Sequence, residues 1–298
     1  MHILGYLPKL FLGYLFVVIS ALGFGISSIL VKLAYNYDVA PGQLLTVQNL
    51  FATLILWLLA FLFQPTALRV NKRQLSQLLV QGLMGNLLSS LFLFLALQHI
   101  PASIAITLFF TYPAFVNILA YIFFKEKITR YRWFSLFLTF LGVVLTINIF
   151  ECSLEKLTLP GILYSLAAAL ASAFFSLYSQ KVLKSVGTLT TTIYPISFAT
   201  LLLCLVSPPL YLFRGQIEWQ VIVLALALST ISTIVPLFSL FKGISLIGAG
   251  RSAIVSTSEL PLALFLAYLV LGERILWLQL LGALFIVISL VILSQESK

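Results

Sequence analysis

Leu119-Ala120-Tyr121-Ile122-Phe123-Phe124-Lys125-Glu126-Lys127-Ile128 returns 147 positions later as Leu266-Ala267-Tyr268-Leu269-Val270-Leu271-Gly272-Glu273-Arg274-Ile275. Phe51-Ala52-Thr53-Leu54 recurs at the same offset as Phe198-Ala199-Thr200-Leu201, and Ile100 and Ala102 match Ile247 and Ala249. A duplication of this reach divides the 298 residues into two related units, 11–150 and 160–294.

The composition identifies the solvent in which these units fold. Hydrophobic residues make up 61% and charged residues 8%, whereas roughly a quarter of the residues of a soluble domain are charged. Long apolar stretches fall at 11–33, 43–63, 75–97, 102–124, 132–150, 160–183, 190–212, 219–241, 252–271 and 276–294. Each is near the ~20 residues that a helix needs to cross the hydrocarbon core. A membrane barrel would instead show segments of roughly ten residues with alternating polarity. The expected fold is therefore an all-α membrane protein of ten transmembrane helices, five per unit. Its connections are short and marked by Pro41-Gly42, Pro101 and Arg214-Gly215, so recognition has to sit inside the bundle. The boundary between the eighth and ninth helices lies somewhere from Lys242 to Arg251.

Thirteen of the seventeen Lys and Arg residues fall on the side that carries both termini, and only Lys32, Lys156, Arg214 and Arg274 fall opposite. The positive-inside rule then predicts cytoplasmic termini, in the plasma (inner) membrane. The net charge of +9 is accordingly a topology signal. The basic residues are spread over short loops without aromatic interleaving, so no nucleic-acid partner is expected. Five helices per unit is an odd number, which inserts the second unit upside down. Two inverted five-helix repeats are a recurrent design of secondary transporters, with the substrate near the midplane and alternating access between the halves.

Ordered motifs in both units carry a resemblance. Ser20-Ala21-Leu22-Gly23-Phe24-Gly25 runs on to Lys32, and Ala96-Leu97 is followed by Ile100-Pro101-Ala102. Pro113, Lys125-Glu126-Lys127 and Leu141-Gly142-Val143 close the first unit. Glu259-Leu260-Pro261, Gly272-Glu273-Arg274 and Leu281-Gly282 close the second. The pattern resembles the EamA type of the drug/metabolite transporter superfamily over nearly the whole chain. That resemblance implies two copies of a five-helix unit and export of amino acids, other metabolites or toxic cations. Two positions depart from the family's pattern: Gln48 stands where a basic residue is common, and Leu260 separates Glu259 from Pro261.

Glu259 lies near the centre of the ninth stretch, where an acidic side chain costs roughly 2.5–3.5 kcal/mol and has to face the bundle interior or a wet cavity. Ser252, Ser256 and Glu259 sit at i, i+4 and i+7 on one helical face. Pro261 removes a backbone hydrogen bond nearby. Glu259 is expected to bind a proton or a cationic substrate group; the alternative is a structural Glu held by serine or backbone donors. Asn49, Asn86, Thr111, Tyr178, Tyr194 and Ser232 are further candidates for a cavity wall, together with Thr46, Thr53, Gln81, Ser89, Thr107, Ser229 and Thr233. The same groups also suit helix-to-helix hydrogen bonds. Glu126, Lys127, Glu273 and Arg274 are read as structural charges at helix ends, where an ion pair is near solvent. Lys32 is expected to snorkel to the interface or to meet a substrate carboxylate. Gly23, Gly25, Ser27, Ser28 and the alanine-rich 167–173 segment suit close helix contact.

Other patterns carry no chemistry. Gly248-Ala249-Gly250-Arg251-Ser252-Ala253 fits a loose dinucleotide fingerprint but follows a membrane helix instead of a strand. No phosphate-binding loop ends in Gly-Lys-Ser/Thr, His2 and His99 stand apart, and Cys152 and Cys204 fall at different depths. No cofactor, metal or catalytic triad is expected, and an enzyme is the least supported class. The expected partners are a small-molecule substrate, the lipid bilayer and protons, and two units in one chain suit a functional monomer. The reading is a secondary transporter that exports small polar metabolites such as amino acids. Its alternatives are an exporter of cationic drugs and a non-transporting membrane scaffold.

Overall fold

The continuous apolar runs fold as helices, and no strand occurs among the described residues. The structure, a computed structural model, describes residues 6–83, 88–100, 102–147, 158–206, 208–213, 218–272 and 275–296. The first helices are α1 (Tyr6–Tyr35), α2 (Pro41–Phe63), α3 (Lys72–Gly82), α4 (Ser89–His99), α5 (Ala102–Phe109), α6 (Tyr112–Phe124) and α7 (Arg130–Thr146). They are followed by α8 (Leu159–Val182), α9 (Thr188–Val206), α10 (Leu210–Phe213), α11 (Trp219–Ser229), α12 (Val235–Ser256), α13 (Glu259–Leu271) and α14 (Trp277–Gln295). Local chemistry explains several starts. Pro41 opens α2 without losing a hydrogen bond. Asn71 and Gln74 cap α3 reciprocally, and Thr129 and Thr158 cap α7 and α8.

Among the described residues, seven helical segments are long and apolar enough to span a membrane: Lys9–Tyr35, Gly42–Phe63, Ile104–Phe124, Leu159–Val182, Thr188–Leu205, Trp219–Ser256 and Trp277–Gln295. The sequence pattern had suggested ten. Within the expected 75–97 stretch lie α3 and α4, with residues 84–87 outside the described residues, and within 132–150 lies most of the 17-residue α7. The expected eighth and ninth stretches meet inside α12, which is kinked at Gly248 (φ 82°, ψ 163°). That backbone conformation is open only to glycine. The Ala249 N–H after the kink, lacking a helical carbonyl, donates to Gln180 Oε1 of α8 at 2.6 Å. The kink falls between Lys242 and Arg251, where the boundary is expected, and ahead of residue 252, where hydropathy starts the ninth stretch.

Two further breaks lie at Phe110-Thr111, between α5 and α6, and at Thr257-Ser258, between α12 and α13. They are 147 positions apart, the offset of the duplicated sequence. Pro113 and Pro261 follow these breaks, and each lacks the N–H that would continue the preceding helix. Hydroxyls at the breaks add bonds to carbonyls of the preceding turn: Thr111 Oγ1 donates to Leu108 O at 2.6 Å, Thr257 Oγ1 to Ile254 O at 2.6 Å and Ser258 Oγ to Val255 O at 2.7 Å. The offset also relates the helix ends. α6 closes on Lys125 (φ 55°) and α13 on Gly272 (φ 67°), both left-handed.

Packing reverses the habit of soluble proteins. Small and hydroxylated side chains fill the contacts, while Phe61, Phe63, Phe123, Leu205 and Trp277 point outward, as a lipid surround requires. Thr53 and Thr200, equivalent in the two units, share a 2.7 Å hydroxyl hydrogen bond between α2 and α9. α7 and α14 meet at Gly142 and Gly282, braced by Thr139 and Ser289 at 2.8 Å and by Ser135 donating to Ser289 O at 2.9 Å. A Cβ on Gly142 would stand 2.7 Å from Gly282 O and from Ile286 Cγ1. The expected glycine contacts of α1 occur, with Gly23 against Pro236 and Gly25 against the Ala263 backbone. Replacing Gly142 with Val should force α7 from α14 and destabilise the protein by about 1–3 kcal/mol. Thermal unfolding in detergent checks this, and an unchanged midpoint would contradict the packing described.

Candidate functional site

The breaks at Phe110-Thr111 and Thr257-Ser258 flank a cavity of about 680 Å³. Its wall takes Phe24 and Ser27 from α1, Gln48 and Asn49 from α2, Ser89 from α4, and Phe109 and Phe110 from α5 and its end. Tyr112 comes from α6, Ser172, Phe175 and Ser176 from α8, and Ser232 and Thr233 from the wide turn joining α11 to α12. Ser252, Ala253 and Ser256 of α12 and Glu259 of α13 complete the polar side. The volume lies within the ~300–1,000 Å³ of small-molecule sites.

Tyr112 and Glu259 are the first residues after the two breaks and are themselves 147 positions apart. They stand beside each other, with Ser256 next to Tyr112. Glu259 occupies the first turn of α13, where the helix dipole favours a negative charge. The Tyr112 hydroxyl donates to Ala253 O at 3.3 Å and the Ser256 hydroxyl to Ser252 O at 2.9 Å. Ser232 Oγ and Ser252 Oγ are buried without a hydrogen-bond partner. Across the cavity, Gln48 Nε2 donates to Thr233 Oγ1 at 2.7 Å and Asn49 Nδ2 to Leu45 O at 2.9 Å. The rings of Phe109, Phe110 and Tyr112 cluster with centroids 5.7–6.1 Å apart. Among the described lining residues none is Lys, Arg or His, and Glu259 is the carboxylate.

Of the residues singled out from sequence, Glu259, Ser252, Ser256, Asn49, Ser89, Ser232 and Thr233 are brought together on this wall. Others are not, among them Gln81, which donates to Ser179 Oγ at 2.9 Å. Thr111 spends its hydroxyl on the α5 terminus. Tyr178 stacks on Phe174 of its own helix at 5.5 Å. Tyr194 donates to Leu68 O at 2.9 Å and packs edge-on against Trp57, tying α9 to the turn after α2. Asn86 lies outside the described residues. Tyr112, Ser172, Ser176 and the phenylalanines went unread, although the 147-residue offset that pairs Tyr112 with Glu259 would have found the tyrosine. No group of three or more His, Cys, Asp or Glu residues suited to a metal occurs among the described residues.

A second charged cluster lies at the C-terminal end of α14. Glu296 accepts from Thr129 Oγ1 at 2.7 Å and from Arg251 Nε at 2.9 Å, and pairs with Arg132 Nη2 at 3.2 Å. Arg132 also reaches Glu126 Oε2 at 3.6 Å, and Glu126 accepts from Gln180 Nε2 at 3.1 Å. Glu126 thus sits at a helix end as expected, with Arg132 as its ionic partner, while Lys127 is exposed. Glu273 and Arg274 lie outside the described residues. Burial pushes the Glu296 carboxyl up, but the hydrogen bonds from Thr129 and Arg251 and the charges of Arg132 and Arg251 outweigh it and hold the group below the usual carboxylate range. A depressed value in the folded state means that this stabilisation is complete above the ordinary carboxylate range and is lost as pH falls through the folded value. Glu296→Gln should therefore lower the unfolding midpoint by several degrees at neutral pH, leaving two arginines without their shared partner. The gap from the unsubstituted protein should close in acid, and thermal scans across pH check both parts.

The profile of the EamA-like transporter family matches residues 11–148 and again 159–295. An uncharacterized transporter of Synechocystis, sll1319, is 31% identical over 208 residues, covering 68% of this chain and 62% of that relative's length. The uncharacterized transporter YcbK of Bacillus subtilis is 24% identical over 280 residues, covering 91% and 88%. The pseudopaline exporter CntI of Pseudomonas aeruginosa is 27% identical over 161 residues, covering 54% and 55%. A solved crystal structure superposes with a TM-score of 0.79 at 14% identity, covering 96% of this chain and 97% of its own, a likeness of fold.

Proposed function

Because the chain belongs to the EamA-like transporter family, we propose that it is a ten-helix secondary transporter whose substrate occupies the cavity at Glu259. Membership makes it an integral membrane transporter of a small molecule, and not an enzyme. The finer reading is two inverted five-helix repeats, 11–150 and 160–294, that rock about the cavity in alternating access. The paired helix breaks and the Thr53–Thr200 contact, each at the duplication offset, support it. Both termini face the cytoplasm of the plasma (inner) membrane, and the unit works as a monomer.

The single observation that carries the substrate site is Glu259: an acidic side chain on the wall of a roomy cavity, at a helix break, in an otherwise apolar segment. Net movement is outward, of a small polar metabolite, a direction supported by the distant exporter in Pseudomonas. Glu259 takes a proton or a cationic substrate group during the cycle, with Ser256, Asn49 and Ser232 as neighbouring polar contacts. A scaffold would have no use for two buried serine hydroxyls left without partners on a cavity wall.

Counterflow into liposomes containing the purified protein and preloaded with unlabelled metabolites should show uptake of the matching labelled compound above protein-free liposomes. Glu259→Gln should reduce that flux by about tenfold or more, the loss of one charge-assisted interaction of ~1.5–3 kcal/mol. Full flux with unaltered pH dependence in that variant would remove Glu259 from the mechanism.

A further inference from the structure

We infer that the cavity selects protonated amines with a compact apolar body over amino acids bearing the same side chain; the inference rests on the transport reading above. The argument begins with which hydrogen atoms are already committed. The Tyr112 hydroxyl has Ala253 O to donate to, and the Ser256 hydroxyl has Ser252 O and the Tyr112 oxygen, so each proton has a partner within the protein. What both oxygens still offer beside the Glu259 carboxylate is acceptor capacity. Ser252 Oγ, buried and unpartnered on the same side, can accept as well. This end of the cavity therefore presents a carboxylate and a set of acceptors and calls for a donor. An ammonium group carries three N–H donors and no acceptor, which matches that demand in both charge and hydrogen-bonding sense.

The rest of the wall suits an apolar body. Phe109 and Phe110 adjoin Tyr112, and Phe24 and Phe175 contribute further ring surface. Aromatic faces attract a cation through their quadrupole and accept an apolar chain equally well. A substrate carboxylate is served differently. The polar groups opposite, Gln48, Asn49 and Ser232, are neutral, so an ionised carboxylate would lose its hydration for uncharged donors, in a cavity that already holds Glu259. Removing the carboxylate from an amino acid keeps the group that the wall matches and discards the one that it does not.

Phenethylamine and phenylalanine, which differ by that carboxylate, test the inference on the full-length protein, by calorimetric binding in lipid nanodiscs and by counterflow in liposomes. Phenethylamine should bind and exchange, and phenylalanine should bind about tenfold or more weakly. Glu259→Gln should abolish amine binding, Glu259→Asp should retain part of it, and Ser256→Ala should weaken it less than Glu259→Gln, each variant being first shown to unfold at the midpoint of the unsubstituted protein. Equal binding of phenylalanine, or no amine binding by folded protein, overturns the inference. Amine binding without exchange leaves the inference standing and sinks the transport reading, whereas exchange of phenylalanine in preference to the amine does the reverse.

Discussion

A backbone group set free inside a bilayer has no water to turn to, and the rest of this structure depends on how that constraint is met. Among the described residues, interruptions at three places carry this constraint. At Phe110-Thr111 and Thr257-Ser258 the hydroxyls of Thr111, Thr257 and Ser258 take up carbonyls of the preceding turn. At Gly248 the side chain of Gln180 captures the stranded Ala249 N–H. Irregular backbone is tolerated in such a protein where neighbouring groups satisfy it or where it borders a cavity, and here both apply. The cavity lies beside the two proline-associated breaks, with Phe110, Tyr112 and Glu259 on its wall.

Charge is distributed by the same logic. The cluster of Arg132, Arg251, Glu126 and Glu296 joins helices from both ends of the chain, and each carboxylate has a cation within 4 Å. Such a cluster orders α7, α12 and α14 at one end of the bundle. Glu259 is placed in the opposite manner. Its neighbours are hydroxyls and rings, and its wall carries no cation among the described residues. A paired carboxylate has its charge answered within the protein, whereas one facing a cavity leaves that charge to whatever enters. This difference of surroundings sets Glu259, in an apolar stretch, apart from Glu126 and Glu296, which stand among charged and polar residues in the sequence.

Gln180 links the two regions. It accepts from Ala249, which lines the cavity, and donates to Glu126 in the charged cluster. The α12 kink, the cavity floor at Ala249 and the ionic contacts of α7 and α14 are therefore mechanically continuous.

Much of this was legible in the chain before folding. Apolar length identifies helices in lipid because nothing else satisfies a backbone there. The 147-residue offset announces two related units, with Pro113 and Pro261 falling near, though not on, equivalent positions. Glu259 stands out because its insertion cost has to be answered by a cavity or a partner. The sequence could not say which polar side chains would share its wall. In a soluble helix the buried face is marked by apolarity, but lipid and bundle interior are about equally apolar, so Tyr178 and Tyr194 read the same as Tyr112 and Ser176. Nor could it say that Glu126 would pair with Arg132 rather than Lys127, since that choice depends on where α7 and α14 meet at Gly142 and Gly282. Local composition determined the helices, the duplication and the one costly acid. Only tertiary packing, through close backbone approach and the breaks it has to satisfy, decided which of the remaining polar groups face the cavity and which are consumed in holding it open.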